Sequence, residues 1–137
     1  MNALLQTRGP LARAALLFTP ALALVTLFAC SNRPAIAARA TVETFYAAIQ
    51  SDNQPLIADN LAQNASPQFR QRVERAALAA QGGGAAQQFV QLVRVDTPTV
   101  SDDTARVHVL FADGQPDTVS LVREGLRWKV LRSGRMG

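Results

Sequence analysis

The chain has 137 residues, 14 basic and 10 acidic, for a net charge of +4, and 48% of it is hydrophobic. The single cysteine, Cys30, excludes an internal disulfide, and one cysteine with one histidine is too small a set for a metal cluster. No basic block interleaved with aromatic residues occurs, so nothing points to a nucleic-acid partner, and no motif calls for a cofactor.

The first segment reads as an export signal. Residues 1–13 carry Arg8 and Arg13. Residues 14–28 are uncharged and mostly apolar, interrupted by Thr19, Pro20 and Thr26, and Ala29 is a small residue before Cys30. A basic start, a short apolar run and a small residue before the cut define such a signal. Leu27-Phe28-Ala29-Cys30 resembles a bacterial lipobox, although Phe28 is larger than the residue usual at its position. The resemblance implies a signal peptide over 1–29 and a diacylglycerol thioether with fatty acyl chains such as palmitate on Cys30. It further implies a lipidated tether over 30–37, a domain over 38–137 and a membrane-anchored protein of the cell envelope facing the periplasm. Ser31 after the cysteine points to the outer membrane in a cell with two. Three other readings compete. The uncharged stretch 14–32 approaches the roughly 20 residues of a spanning helix. Ala35-Ile36-Ala37 has the form of an ordinary cleavage site. Cys30 could also be a chance thiol. Once Arg8 and Arg13 are removed, the remainder is less basic than the whole chain.

After a short tether over 31–40, Val42, Phe45, Tyr46 and Ile49 fall at i, i+3, i+4 and i+7, which predicts one apolar helical stripe. Asp52-Asn53 breaks the pattern and caps a short second helix over 55–61. Ser66-Pro67 predicts the start of a third, to about Ala80. Its inward residues are Phe69, Val73, Ala76, Ala77 and Ala80, and Arg70, Arg72, Glu74 and Arg75 face water. Gly82-Gly83-Gly84 stops it and opens a strand, and the period then changes to two. Residues 89–95 read as that strand, closed by Thr97-Pro98. Asp102-Asp103 is a polar turn. Ala105, Val107, Val109 and Phe111 alternate with Arg106, His108 and Leu110 in a second strand. Asp113-Gly114 turns into a third over 118–123. Glu124-Gly125 leads to a fourth, where Leu126, Trp128 and Val130 alternate with Arg127, Lys129 and Leu131. The class is α+β, with N-terminal helices on a curved antiparallel sheet of about four strands.

The ending Val119-Ser120-Leu121-Val122-Arg123-Glu124-Gly125-Leu126-Arg127-Trp128-Lys129-Val130 resembles a recurrent bacterial lipoprotein domain. Residues 42–49 followed by Asp52, and residues 103–107, extend the match. That domain has the nuclear-transport-factor-2-like, or cystatin-like, fold. The resemblance implies a cone between the first helix and the sheet, with Trp128 packed between sheet and helices. The expected neighbours of Trp128 are Phe45 or Tyr46 and Val109. The fold hosts enzymes, binding domains and inert scaffolds alike.

Phe45, Tyr46, His108 and Trp128 are therefore the candidate pocket lining. His108, Tyr46 and Asp59 are the candidates for general-base work. His108 lacks an orienting partner in sequence, and Tyr46 and Trp128 read more naturally as core, so no residue is assigned a catalytic role. The first reading is a non-enzymatic domain that binds a small ligand or a protein. A small isomerase or hydrolase using the cone, and a module that forms a homodimer through its sheet, are the alternatives.

Overall fold

A computed structural model describes residues 32–137. Cys30 and the segment expected as an export signal lie outside the described residues. Among the described residues no helix is long and apolar enough to cross a membrane.

Helix α1 spans Arg33–Gln50, so most of the stretch expected as a tether is already helical. Pro34 in the first turn and the alanines after it explain the early start, because proline has no amide hydrogen to lose there. Val42, Phe45, Tyr46 and Ile49 are at most 1% exposed, as the stripe predicts. Helix α2 (Gln54–Asn60) is capped by Asn53, whose side chain accepts from Leu56 N at 3.3 Å. Helix α3 (Pro67–Ala80) is capped by Ser66, whose Oγ accepts from Phe69 N at 3.1 Å.

The glycines stop α3 but do not open a strand. Gly83 and Gly84 take positive φ angles of 70° and 64°, a turn that residues with a Cβ adopt poorly. The chain then enters a fourth helix, α4 (Gly84–Val90). Ala85-Ala86-Gln87-Gln88 are good helix formers, and they take Phe89 and Val90 into the helix with them.

Five strands follow: β1 (Leu92–Val95), β2 (Thr99–Ser101), β3 (Thr104–Phe111), β4 (Pro116–Glu124) and β5 (Arg127–Ser133). The sheet is antiparallel in the order β1-β3-β4-β5, with β2 also paired to β3. Among the described residues the fold is α+β, with four helices and an open sheet of five strands. The three-residue β2 is the strand that the sequence pattern does not show. The free edge of β5 is partly covered where Leu61 bridges Val130 and Ala62 N donates to Val130 O at 2.8 Å. Such cover blunts an edge that could otherwise pair with another chain.

The sheet has an inner and an outer face. Ala105, Val107, Val109 and Phe111 of β3, Val119 and Leu121 of β4, and Trp128 and Val130 of β5 are all buried. The intervening Thr104, Arg106 and His108 are exposed. Tyr46 meets Phe111 edge-on with ring centroids 5.1 Å apart, which places α1 over β3. Phe45 lies 5.3 Å from Tyr46 and 6.4 Å from Phe69, which joins α1 to α3. Side chains therefore pack the space between α1 and β3.

Two expectations are corrected here. Leu126 lies in the β4–β5 turn, fully exposed, and not in the strand alternation with Trp128 and Val130. Trp128 is buried, but Val109 is not beside it. Trp128 pairs with Arg123 and Val109 with Asp117, six residues along β4, which separates them by roughly 20 Å. The Arg123 guanidinium lies 4.8 Å above the Trp128 ring, and Thr41 Oγ1 of α1 is 3.5 Å from its carbonyl.

Candidate ligand site

The four residues expected to line one pocket do not share one. Phe45, Tyr46 and Trp128 are core residues. His108 is on the outer face, with Nδ1 2.9 Å from Thr118 Oγ1. Tyr46 borders a groove of about 480 Å³ between α1 and β1, with Arg39, Glu43, Gln50 and Arg94. His108 borders a different one, with Arg94, Asp96, Asp117 and Thr118.

The Tyr46 hydroxyl is buried without a hydrogen-bond partner in good geometry. Burial pushes its proton affinity well up, and neighbouring Asp117 adds to this, while Ser133 and Arg135 offset part. Ser133 Oγ is committed to Asp117 Oδ2 at 2.6 Å, and Arg135 N donates to the same oxygen at 3.2 Å. A phenol held this firmly protonated is a poor base. Asp59, the third base candidate, is exposed on α2. Its carboxylate accepts two bonds from Arg127, at 3.2 and 2.7 Å, and Lys129 donates to its backbone carbonyl. The Arg127 bonds, then the Lys129 charge, hold the Asp59 carboxyl below its ordinary range. The three base candidates therefore stand in the core, on the outer sheet face and on the solvent side of α2. Among the described residues no three His, Cys, Asp or Glu side chains stand together as a metal site.

A more apolar hollow is elsewhere. It lies between α3, α4 and the tail after β5, with a volume of about 500 Å³. Ala76 and Ala79 of α3, Ala85, Ala86 and Phe89 of α4, and Met136 form its surface. Arg72, Arg75 and Arg135 border it, and no carboxylate does. The small side chains make the depression, because α3 and α4 face each other there through alanines.

Arg135 fixes one wall. Its guanidinium lies between the Phe89 and Phe111 rings, 4.0 and 4.6 Å from their centroids. It donates to Phe89 O at 3.1 Å and pairs with Asp113. The Arg135 bond, ahead of smaller contributions, holds the Asp113 carboxyl below its ordinary range. This clamp ties the tail to α4 and β3 and leaves Met136 only 3% exposed. Arg72 Nη1 donates to Gly137 O at 2.9 Å. Arg75 has no ion-pair partner among the described residues.

Sequence reasoning places Arg72 and Arg75 in water, which is correct, and Ala76 inward, where it is half-buried at the hollow. It misses the hollow itself. The available signal is a second face on α3, Arg72, Arg75, Ala76 and Ala79, distinct from the Phe69, Val73, Ala77 and Ala80 face. Compared with known proteins, the chain matches no family model, and no curated protein or solved structure matches it.

Proposed function

We propose that the protein is a lipid-anchored lipoprotein of the bacterial envelope, with a non-enzymatic domain of nuclear-transport-factor-2-like type. The ligand is a small acidic amphiphile. The observation that carries the ligand reading is the apolar hollow bordered by arginines and by no acid. Its volume lies within the range of small-molecule sites, which are mostly apolar with a few placed polar groups. An acyl chain would lie on the alanines, Phe89 and Met136, and its acid group would meet Arg75 or Arg72. Burying the chain supplies about 25 cal/mol per Å² of apolar surface, and the arginines choose the charged end.

The non-enzymatic reading is supported by the separation of Tyr46, His108 and Asp59. A general base needs its target within hydrogen-bond reach and an orienting partner. The anchor reading is supported by the apolar run ending at Cys30. Helix α1 begins at Arg33, so only Ser31 and Asn32 separate it from the lipidated residue, and the domain would stand against the membrane surface.

Two experiments test this reading. A chain of residues 31–137 retains every core side chain, and its melting transition checks its folding. Titrated with laurate in a calorimeter, it should bind one molecule per chain, with dodecanol binding more weakly. Ala79→Trp, which fills the hollow from an exposed position, should abolish binding without lowering the melting temperature. Laurate binding equally to that variant would remove the hollow from the account. Mass spectrometry of membrane-extracted protein should find diacylglycerol on an N-terminal Cys30. An unmodified chain starting at Ala38 would refute the anchor.

A further inference from the structure

The outer face of the sheet carries a second feature, independent of the hollow. Strand register sets Arg106 of β3 opposite Ser120 of β4, and Ser120 opposite Arg132 of β5. All three lie on the face away from the helices, since their neighbours Ala105, Val107, Val119 and Leu121 point into the core. Adjacent strands are about 4.8 Å apart, so the two arginine Cα atoms stand roughly 10 Å apart with a hydroxyl between them. The side chains border one hollow of about 440 Å³, with Thr118, Ser133, Gly134 and Gly137.

Neither guanidinium has an ion-pair partner among the described residues. The acids near this face are already engaged. Asp96 is paired with Arg94 at 3.0 Å, Glu124 accepts from Gln63 N at 2.8 Å, and Asp117 holds Ser133. His108 lies one pair further along β3, on the same face. The face therefore presents two planar cations across a hydroxyl, neither in an ion pair among the described residues, with no Asp or Glu side chain bordering their hollow. Guanidinium forks bind the oxygens of phosphate in pairs, and a serine hydroxyl supplies a further donor.

We propose that Arg106, Ser120 and Arg132 form a binding site for a phosphate monoester group, carried either by a soluble metabolite or by a lipid headgroup. The alternative occupant of an open sheet face is a second copy of the chain. In a two-fold interface the same face is present on both copies, so the arginines of one copy are added to those of the other. Like charges brought together in that way oppose pairing, whereas an anion relieves the repulsion already present.

The test uses the full chain in a non-ionic detergent, followed by two-dimensional NMR. It is titrated separately with inorganic phosphate and with dihexanoyl phosphatidic acid. Saturable shifts at Arg106, Ser120 and Arg132 with both ligands identify the phosphate group as what is recognised. Shifts with the lipid alone assign the site to a headgroup, and both outcomes uphold the proposal. Arg106→Gln and Arg132→Gln should each weaken binding about tenfold, as expected for losing one charge-assisted fork. Their melting temperatures should stay at wild type, which separates a binding role from a structural one. Added sodium chloride should weaken binding to the wild type. No saturable shift with either ligand would overturn the proposal, as would affinity that survives both substitutions. Self-association through this face that phosphate does not compete against would also overturn it.

Discussion

The two faces of the sheet are built from the same strands and differ in almost everything else. On the inner face, Val107, Val109, Phe111, Val119, Leu121 and Val130 meet Phe45, Tyr46 and Ile49 of α1 in one core cluster. On the outer face, Arg106, His108, Thr118, Ser120 and Arg132 stand in solvent or half in it. Substitutions on the inner face change buried volume, and cores feel even a single methylene. Substitutions on the outer face change charge and hydrogen bonding without touching the packing. The contrast teaches where each kind of information resides. Stability is written on one side of each strand, and the other side is free to carry recognition.

The sharpest way to break this comparison is at Trp128, which is inner and 4% exposed. Trp128→Ala should cost about 3–5 kcal/mol, the usual range for truncating a large buried aromatic. Domains of this size have on the order of 5–15 kcal/mol in total, so the melting temperature should fall steeply. Wild-type-like melting would mean that the inner register is wrong. A smaller effect belongs to the α3 cap. Ser66→Ala removes the acceptor for Phe69 N and should cost about 1 kcal/mol in urea unfolding, while Ser66→Asp should recover most of it.

Tyr46→Phe sharpens the comparison from inside the core. The hydroxyl is buried and unpartnered. Removing a buried polar atom without partners is close to neutral or stabilising, so the variant should melt at or slightly above wild type. A marked loss of stability would show that the hydroxyl is bonded to Ser133 after all.

Acid should act through the Arg135 clamp. The Asp113 carboxyl is held below its ordinary value, chiefly by Arg135. A depressed carboxylate contributes stability that is fully present above its unfolded pKa, about 3.9, and is lost as pH falls through the lower folded value. Unfolding measured from pH 6 downward should therefore show stability falling below about pH 4. Asp113→Asn should flatten part of that slope. A slope unchanged by Asp113→Asn would show that the clamp adds nothing measurable. The smallest effect is expected on the outer face, where Arg106→Gln should shift stability by no more than about 0.5 kcal/mol.

How much of this was legible in the sequence depends on whether the signal is local. The helical stripe at Val42, Phe45, Tyr46 and Ile49, the caps Asn53 and Ser66, and the alternation in β3 are each written within about ten residues, and the structure bears them out. Helix α4 was hidden because Gly82-Gly83-Gly84 reads as a break, and the short Ala-Gln run after it is outweighed by the β-rich residues that follow. Strand β2 is three residues long, too short for any period. The neighbours of Trp128 could not be read, because they depend on register. A bulge between Ser120 and Leu121 resets the pairing of β4 with β5. The candidate site was the least legible feature. Its walls come from α3, α4 and the tail at Met136, and only the closed fold brings Arg72 within reach of Gly137.

The most direct test of the central claim is where an acidic amphiphile settles on the domain. Chemical-shift mapping of residues 31–137 titrated with laurate reads this residue by residue. Saturable shifts are expected at Ala76, Ala79, Ala85, Ala86 and Met136, with the Arg75 side chain perturbed by laurate and not by dodecanol. Shifts confined to the groove of Arg39, Glu43 and Arg94 between α1 and β1, or no saturable shifts at all, would contradict the claim.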